Sequence, residues 1–88
     1  MPSWDGKIIS GEFDNEVNEF IVQQVKKLTT KSTLNKKQVD KLYRYLKSHE
    51  HDMGGQIITL YDQMLLSLTQ EELHSLIHDL EEIQYMYH

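Results

Sequence analysis

The sequence has no cysteine, one proline and one tryptophan, and its last 41 residues contain neither lysine nor arginine. Without cysteine there is no disulfide framework, no thiolate nucleophile and no cysteine-ligated metal. A run of roughly 20 apolar residues, the length of a membrane-spanning helix, is also lacking. The densest apolar region, Ile57 to Leu68, is broken by Thr59, Asp62, Gln63 and Ser67. The first residues show no basic stretch followed by an apolar run, so a soluble, cytoplasmic chain is expected. No serine stands in a nucleophile elbow and no glycine-rich phosphate loop is present. The acidic pairs Glu71 with Glu72 and Glu81 with Glu82 are chain neighbours, not two carboxylates facing each other across a cleft. Eighty-eight residues are too few for a barrel or a dinucleotide-binding unit, and no catalytic residue, metal or cofactor is expected. The reading is therefore non-enzymatic.

What is present is charge, strongly segregated. The net charge of -5 averages three unlike segments. Residues 1–25 carry one lysine against five acids, or -4; residues 26–47 carry eight cations against Asp40 alone, or +7; residues 48–88 carry eight acids unopposed, or -8. The basic third could contact an acidic protein or nucleic acid phosphates, or could be neutralised by the acidic half when the chain folds. Such polarity also favours self-association, with the basic segment of one copy meeting the acidic segment of the next.

Hydrophobic spacing predicts an all-α fold, a small bundle of three to four helices with an irregular apolar N-terminal arm. Residues 1–13, with Trp4, Ile8, Ile9 and Phe13, make the arm, which is expected to pack on the core of a single helical domain spanning 14–88. A first helix is expected from Asp14 to Leu28, with Val17, Phe20, Ile21, Val25 and Leu28 as its stripe. A second, opened by an Asn35 and Gln38 capping box, would run to Ser48 and bury Val39, Leu42, Tyr43 and Leu46. A third would cover Gln56 to Leu68 with Ile57, Leu60, Tyr61, Met64, Leu65 and Leu68 on a broad apolar face that Ile58 and Leu66 extend. The fourth, capped by Thr69 with Glu72, would bury Leu73, Leu76, Ile77, Leu80, Ile83 and Tyr87.

His74 and His78 stand four apart on that last helix, a spacing that can hold a metal, but Ser75 occupies the place where the zinc-protease motif needs glutamate. They read as solvated. His49, Glu50, His51 and Asp52 form a polar cluster in a loop whose composition fixes no geometry. Five tyrosines are the more informative feature, because Tyr45 and Tyr85 fall off the predicted stripes, where an aromatic can anchor a protein contact. Trp4, Lys41, Arg44, Tyr45, Tyr85 and Met86 are thus the candidate protein-binding residues. Lys36, Lys37, Lys41, Arg44 and Lys47 are the candidate nucleic-acid contacts, a second reading because the region offers a single arginine and few amide side chains for base edges. A small regulator or inhibitor of a larger protein, or an assembly component, is expected, with a purely structural self-associating module as the other alternative to nucleic-acid binding, a homodimer as another partner and no membrane role.

Overall fold

The computed structural model describes residues 3–59 and 65–88 and shows a mixed α/β fold in place of the expected helical bundle. Four strands, β1 (Ser3–Asp5), β2 (Ile9–Asp14), β3 (Glu19–Val25) and β4 (Leu28–Asn35), form an antiparallel sheet in sequential order. Helix α1 (Lys36–Ser48) follows, then the antiparallel pair β5 (Gln56–Thr59) and β6 (Leu65–Leu68), and finally helix α2 (Gln70–Gln84). The irregular arm and the first helix of the sequence reading are thus three strands and the start of a fourth. The third helix is a strand pair, with Leu60, Tyr61 and Met64 of its predicted stripe lying outside the described residues.

Physical reasons for the correction lie in residues 14 to 35. Six of the residues from Glu19 to Asn35 are β-branched (Ile21, Val22, Val25, Thr29, Thr30 and Thr33), which suits a pleated surface better than a helix. Phe20 and Val22 face the core two residues apart, as in any strand. Between Val22 and Gln24 the register shifts, so Val25 also points inward. That bulge lengthens one step of the strand period from two to three, and the buried pair Val22 and Val25 acquires a spacing that imitates a helical stripe. Asp14 does not cap a helix: its Oδ1 accepts the Glu16 amide at 3.0 Å, closing the β2–β3 turn in which Asn18 adopts φ 57°. Val17, placed on the predicted stripe, sits exposed in that turn.

The two capping boxes do open helices. At α1 the Asn35 side chain accepts the Gln38 amide at 2.8 Å while Gln38 accepts the Asn35 amide at 2.8 Å; at α2 Thr69 and Glu72 exchange the same pair of bonds. Tyr43 Oη donates to Glu81 at 2.8 Å and Gln84 Nε2 donates to Asp40 at 3.1 Å, so the helices run antiparallel. Their apolar stripes, Val39 and Leu46 with Leu73, Leu76, Leu80 and Ile83, join the inward residues of both sheets in one core. The Cα radius of gyration is 12.2 Å, against about 12 Å for a compact chain of this length.

Two polar contacts seat α2 on the sheet. The buried carboxylate of Asp79 accepts three successive backbone amides of the β1–β2 turn, from Lys7 at 2.9 Å, Ile8 at 2.7 Å and Ile9 at 3.1 Å. Beyond the helix end, Tyr87 packs edge-to-face on Phe13 with ring centroids 5.0 Å apart and donates its hydroxyl to the Leu34 carbonyl at 2.5 Å. Burial, with the negative charges of Glu19 and Asp40 adding to it, pushes the Tyr87 phenol far above its ordinary value. A phenol that stays protonated in the fold but ionises near pH 10 once unfolded stabilises the protein fully below about pH 10 and progressively less above it. Stability should therefore fall as pH rises beyond about 10, and Tyr87→Phe should flatten that fall. Unfolding midpoints measured on both proteins across the alkaline range check this; parallel curves would refute it.

Candidate functional site

Helix α1 divides its circumference cleanly. Val39 and Leu46 are buried, Leu42 and Tyr43 are half-buried, and Lys36, Lys37, Lys41 and Arg44 are exposed. Residues 37, 41 and 44 follow the three- and four-residue spacing of one helix face, and they line a shallow depression together with Asp40. None of the four cations has an ion-pair partner among the described residues. Internal neutralisation is slight: of the eight cations in residues 26–47, Lys26 pairs with Glu72 at 2.9 Å and Lys47 with Glu50 at 3.2 Å. The basic helix packs on α2 through its uncharged stripe and leaves its cations to solvent.

Beside this face lies a second groove of about 340 Å³ between α1 and β5, lined by Lys41, Leu42, Tyr45, Ile57, Ile58 and Thr59. Tyr45 is 41% exposed and Ile57 66% exposed. The ring of Tyr45 is held in place. Its hydroxyl donates to Gln56 Oε1 at 3.1 Å, Gln56 Nε2 donates to Asp52 at 3.3 Å, Asp52 contacts His49 Nδ1 at 2.6 Å, and the His49 ring lies 4.6 Å from the Tyr45 ring. These four side chains close a circuit across the α1–β5 loop, and two of them, His49 and Asp52, belong to the cluster whose geometry composition alone leaves open. His74 Nε2, hydrogen-bonded to the Glu50 carbonyl at 2.7 Å, ties that loop to α2.

The other sequence candidates are dispersed. Trp4 is half-buried with its ring edge-on to Phe20 at 6.1 Å, a packing role. Tyr85, 90% exposed at the end of α2, lies with Tyr43, His78 and Glu82 around one depression, and Trp4 borders the next, which shares His78 and Glu82. Met86 packs partly against the core. Lys47 is held by Glu50, which sets it apart from the free α1 cations; that hydrogen bond is the main reason its ammonium pKa is raised. His74 and His78 belong to no group of three or more acidic or histidine side chains able to hold a metal ion among the described residues.

Sequence reasoning missed Ile57 and Leu65. Helical spacing puts both on a buried face, whereas the β5–β6 register pairs Ile58 with Leu66 on the core side and turns Ile57 and Leu65 outward. The available signal was length: QIIT and LLSL are apolar runs of strand size. No helix among the described residues is long and apolar enough to cross a membrane. No family model, curated protein or solved structure matches the chain, so its geometry alone carries the functional argument.

Proposed function

We propose that the protein is a non-enzymatic protein-binding module, a cytoplasmic regulator or assembly component that docks an acidic segment of a larger protein on α1 and β5. The supporting observation is that the free cations of α1 and a groove of mixed polar and apolar lining, with Leu42, Tyr45 and Ile57, meet at Lys41, which lines both depressions. An apolar side chain of the partner inserts between Tyr45 and Ile57, and flanking carboxylates engage Lys37, Lys41 and Arg44. Apolar burial supplies affinity, while the exposed charges set association rate and selectivity. Nucleic acid, the other reading of the same cations, would leave Ile57 without a role.

Two variants test the reading. Lys37→Gln/Lys41→Gln/Arg44→Gln and Ile57→Ser each change exposed side chains, so each should leave unfolding within about 0.5 kcal/mol of the parent. Both should lose a protein partner that the parent recovers from a native extract and binds after purification. Binding of duplex or single-stranded nucleic acid that weakens steeply with salt and ignores Ile57→Ser would replace this proposal with the nucleic-acid one.

A further inference from the structure

Another concavity, of about 610 Å³, lies between the β1–β2 turn, the β3–β4 turn and β6. Its volume falls within the range of about 300–1,000 Å³ common to small-molecule sites. Buried Ile8 and Leu66 line it together with two exposed leucines, Leu28 at 49% and Leu65 at 70%. Each of these opens a strand at a position where solvent would ordinarily select a polar side chain. The cleft is also cationic. Lys7, Lys26 and Lys27 line it against the single carboxylate of Glu72. Lys26, whose backbone sits at φ 56° in the β3–β4 turn, is fixed by bonds from its ammonium to Glu72 at 2.9 Å and to the Ser67 carbonyl at 3.3 Å. Lys7 and Lys27 are exposed and have no ion-pair partner among the described residues, leaving two positive charges uncompensated beside apolar walls.

We infer that this cleft binds an amphipathic anion, an aliphatic chain bearing one carboxylate, with the chain against Leu28 and Leu65 and the head group between Lys7 and Lys27. Charge and apolarity together select the ligand class. A small inorganic anion would leave the leucines wet, an uncharged chain would leave both ammonium groups uncompensated, and a cationic amphiphile would be repelled. Burial of one methylene contributes about 0.8 kcal/mol, so each added carbon strengthens binding about fourfold until the cleft is filled. The site shares no lining residue with the α1–β5 groove, and the inference stands independently of the protein-binding reading.

The experiment is a titration of the methyl-labelled full chain with octanoate, decanoate, decanol and decylammonium, each below its aggregation threshold, followed by NMR. Decanoate should bind about 15-fold more tightly than octanoate, shifting methyls of Ile8, Leu28, Leu65 and Leu66 and sparing Ile57. Leu65→Ser should weaken it at least about fivefold and Lys27→Glu about threefold, both at exposed positions that leave the fold intact. Equal binding of decanol or decylammonium, affinity independent of chain length, shifts centred on Ile57, or no binding by decanoate would each overturn the inference.

Discussion

Replacing Asp79 with alanine should destabilise the protein by about 3–5 kcal/mol, the cost of stripping a buried charged group from its partners. Asp79 is 4% exposed, and its carboxylate is the acceptor for three consecutive amides, Lys7, Ile8 and Ile9, at 2.7–3.1 Å. Successive backbone N–H groups directed at one anion form a nest, here filled by the protein's own side chain. Alanine leaves those amides facing a small void, and a buried unpaired donor costs about 1–3 kcal/mol. Asparagine preserves the volume but offers one acceptor oxygen and turns an NH₂ group toward the other donors, so Asp79→Asn should recover only part of the loss. The whole stability of a domain this size is about 4–13 kcal/mol, and the melting temperature of such a domain drops about 4–8 °C per kcal/mol. Asp79→Ala should therefore melt at least about 12 °C below the parent. Trp4 gives a local readout: a Cβ on Gly6 would lie 2.4 Å from the Trp4 ring and 2.6 Å from the Asp79 carboxyl carbon, so the two close over the same glycine. Tryptophan fluorescence and far-ultraviolet circular dichroism during denaturant unfolding would measure the effect, and a loss below about 1 kcal/mol would show that the three bonds are energetically idle.

Gly11→Val should cost about 3 kcal/mol, the upper end of the range for overpacking a core. Gly11 lies in the middle of β2, paired with Trp4 on one side and Val22 on the other. A Cβ at this position would stand 1.9 Å from the Ile21 carbonyl oxygen and 3.0 Å from the Phe20 ring. The obstacle is backbone, which has no rotamer to change, so β2 and β3 must separate where the bulge already interrupts their pairing. Gly11→Ala carries the same Cβ and should lose nearly as much. The clash, not the side-chain size, is what the pair of variants isolates: a wild-type unfolding midpoint for Gly11→Ala would reject it.

Much of the helical structure was legible because its signals are local. Asn35 with Gln38 and Thr69 with Glu72 lie three residues apart and can be read without knowing anything else of the fold. The sheet was not legible, because its determinants are pairings across chain. Ile21 opposite Thr33, and Glu12 opposite Ile21, leave no mark on a helical periodicity count, and the bulge at Val22 to Gln24 turned strand alternation into false helical spacing. Short apolar runs are equally ambiguous: one residue of difference in strand register decides whether Ile57 or Ile58 is buried, whereas a helix with a broad apolar face takes in both. For the candidate site, Lys37, Lys41, Arg44 and Tyr45 were found because a real helix carries them. Ile57 was not, since its exposure depends on β6, a segment that the sequence reading had placed in the same helix.

The Asp79 nest also constrains the order of events during folding. The amides it satisfies belong to residues 7, 8 and 9, and the acceptor arrives 70 to 72 positions later in the chain. Asn18 and His88 exchange bonds across a similar span of 70. Contacts of such large sequence separation carry a loop-closure cost that local hairpins avoid, and they slow folding. The β1–β2 turn therefore emerges from the ribosome long before the group that completes it. Until α2 is made, the three amides of that turn lack their acceptor, and the core that α1 and the strands begin is missing Leu73, Leu76, Leu80 and Ile83.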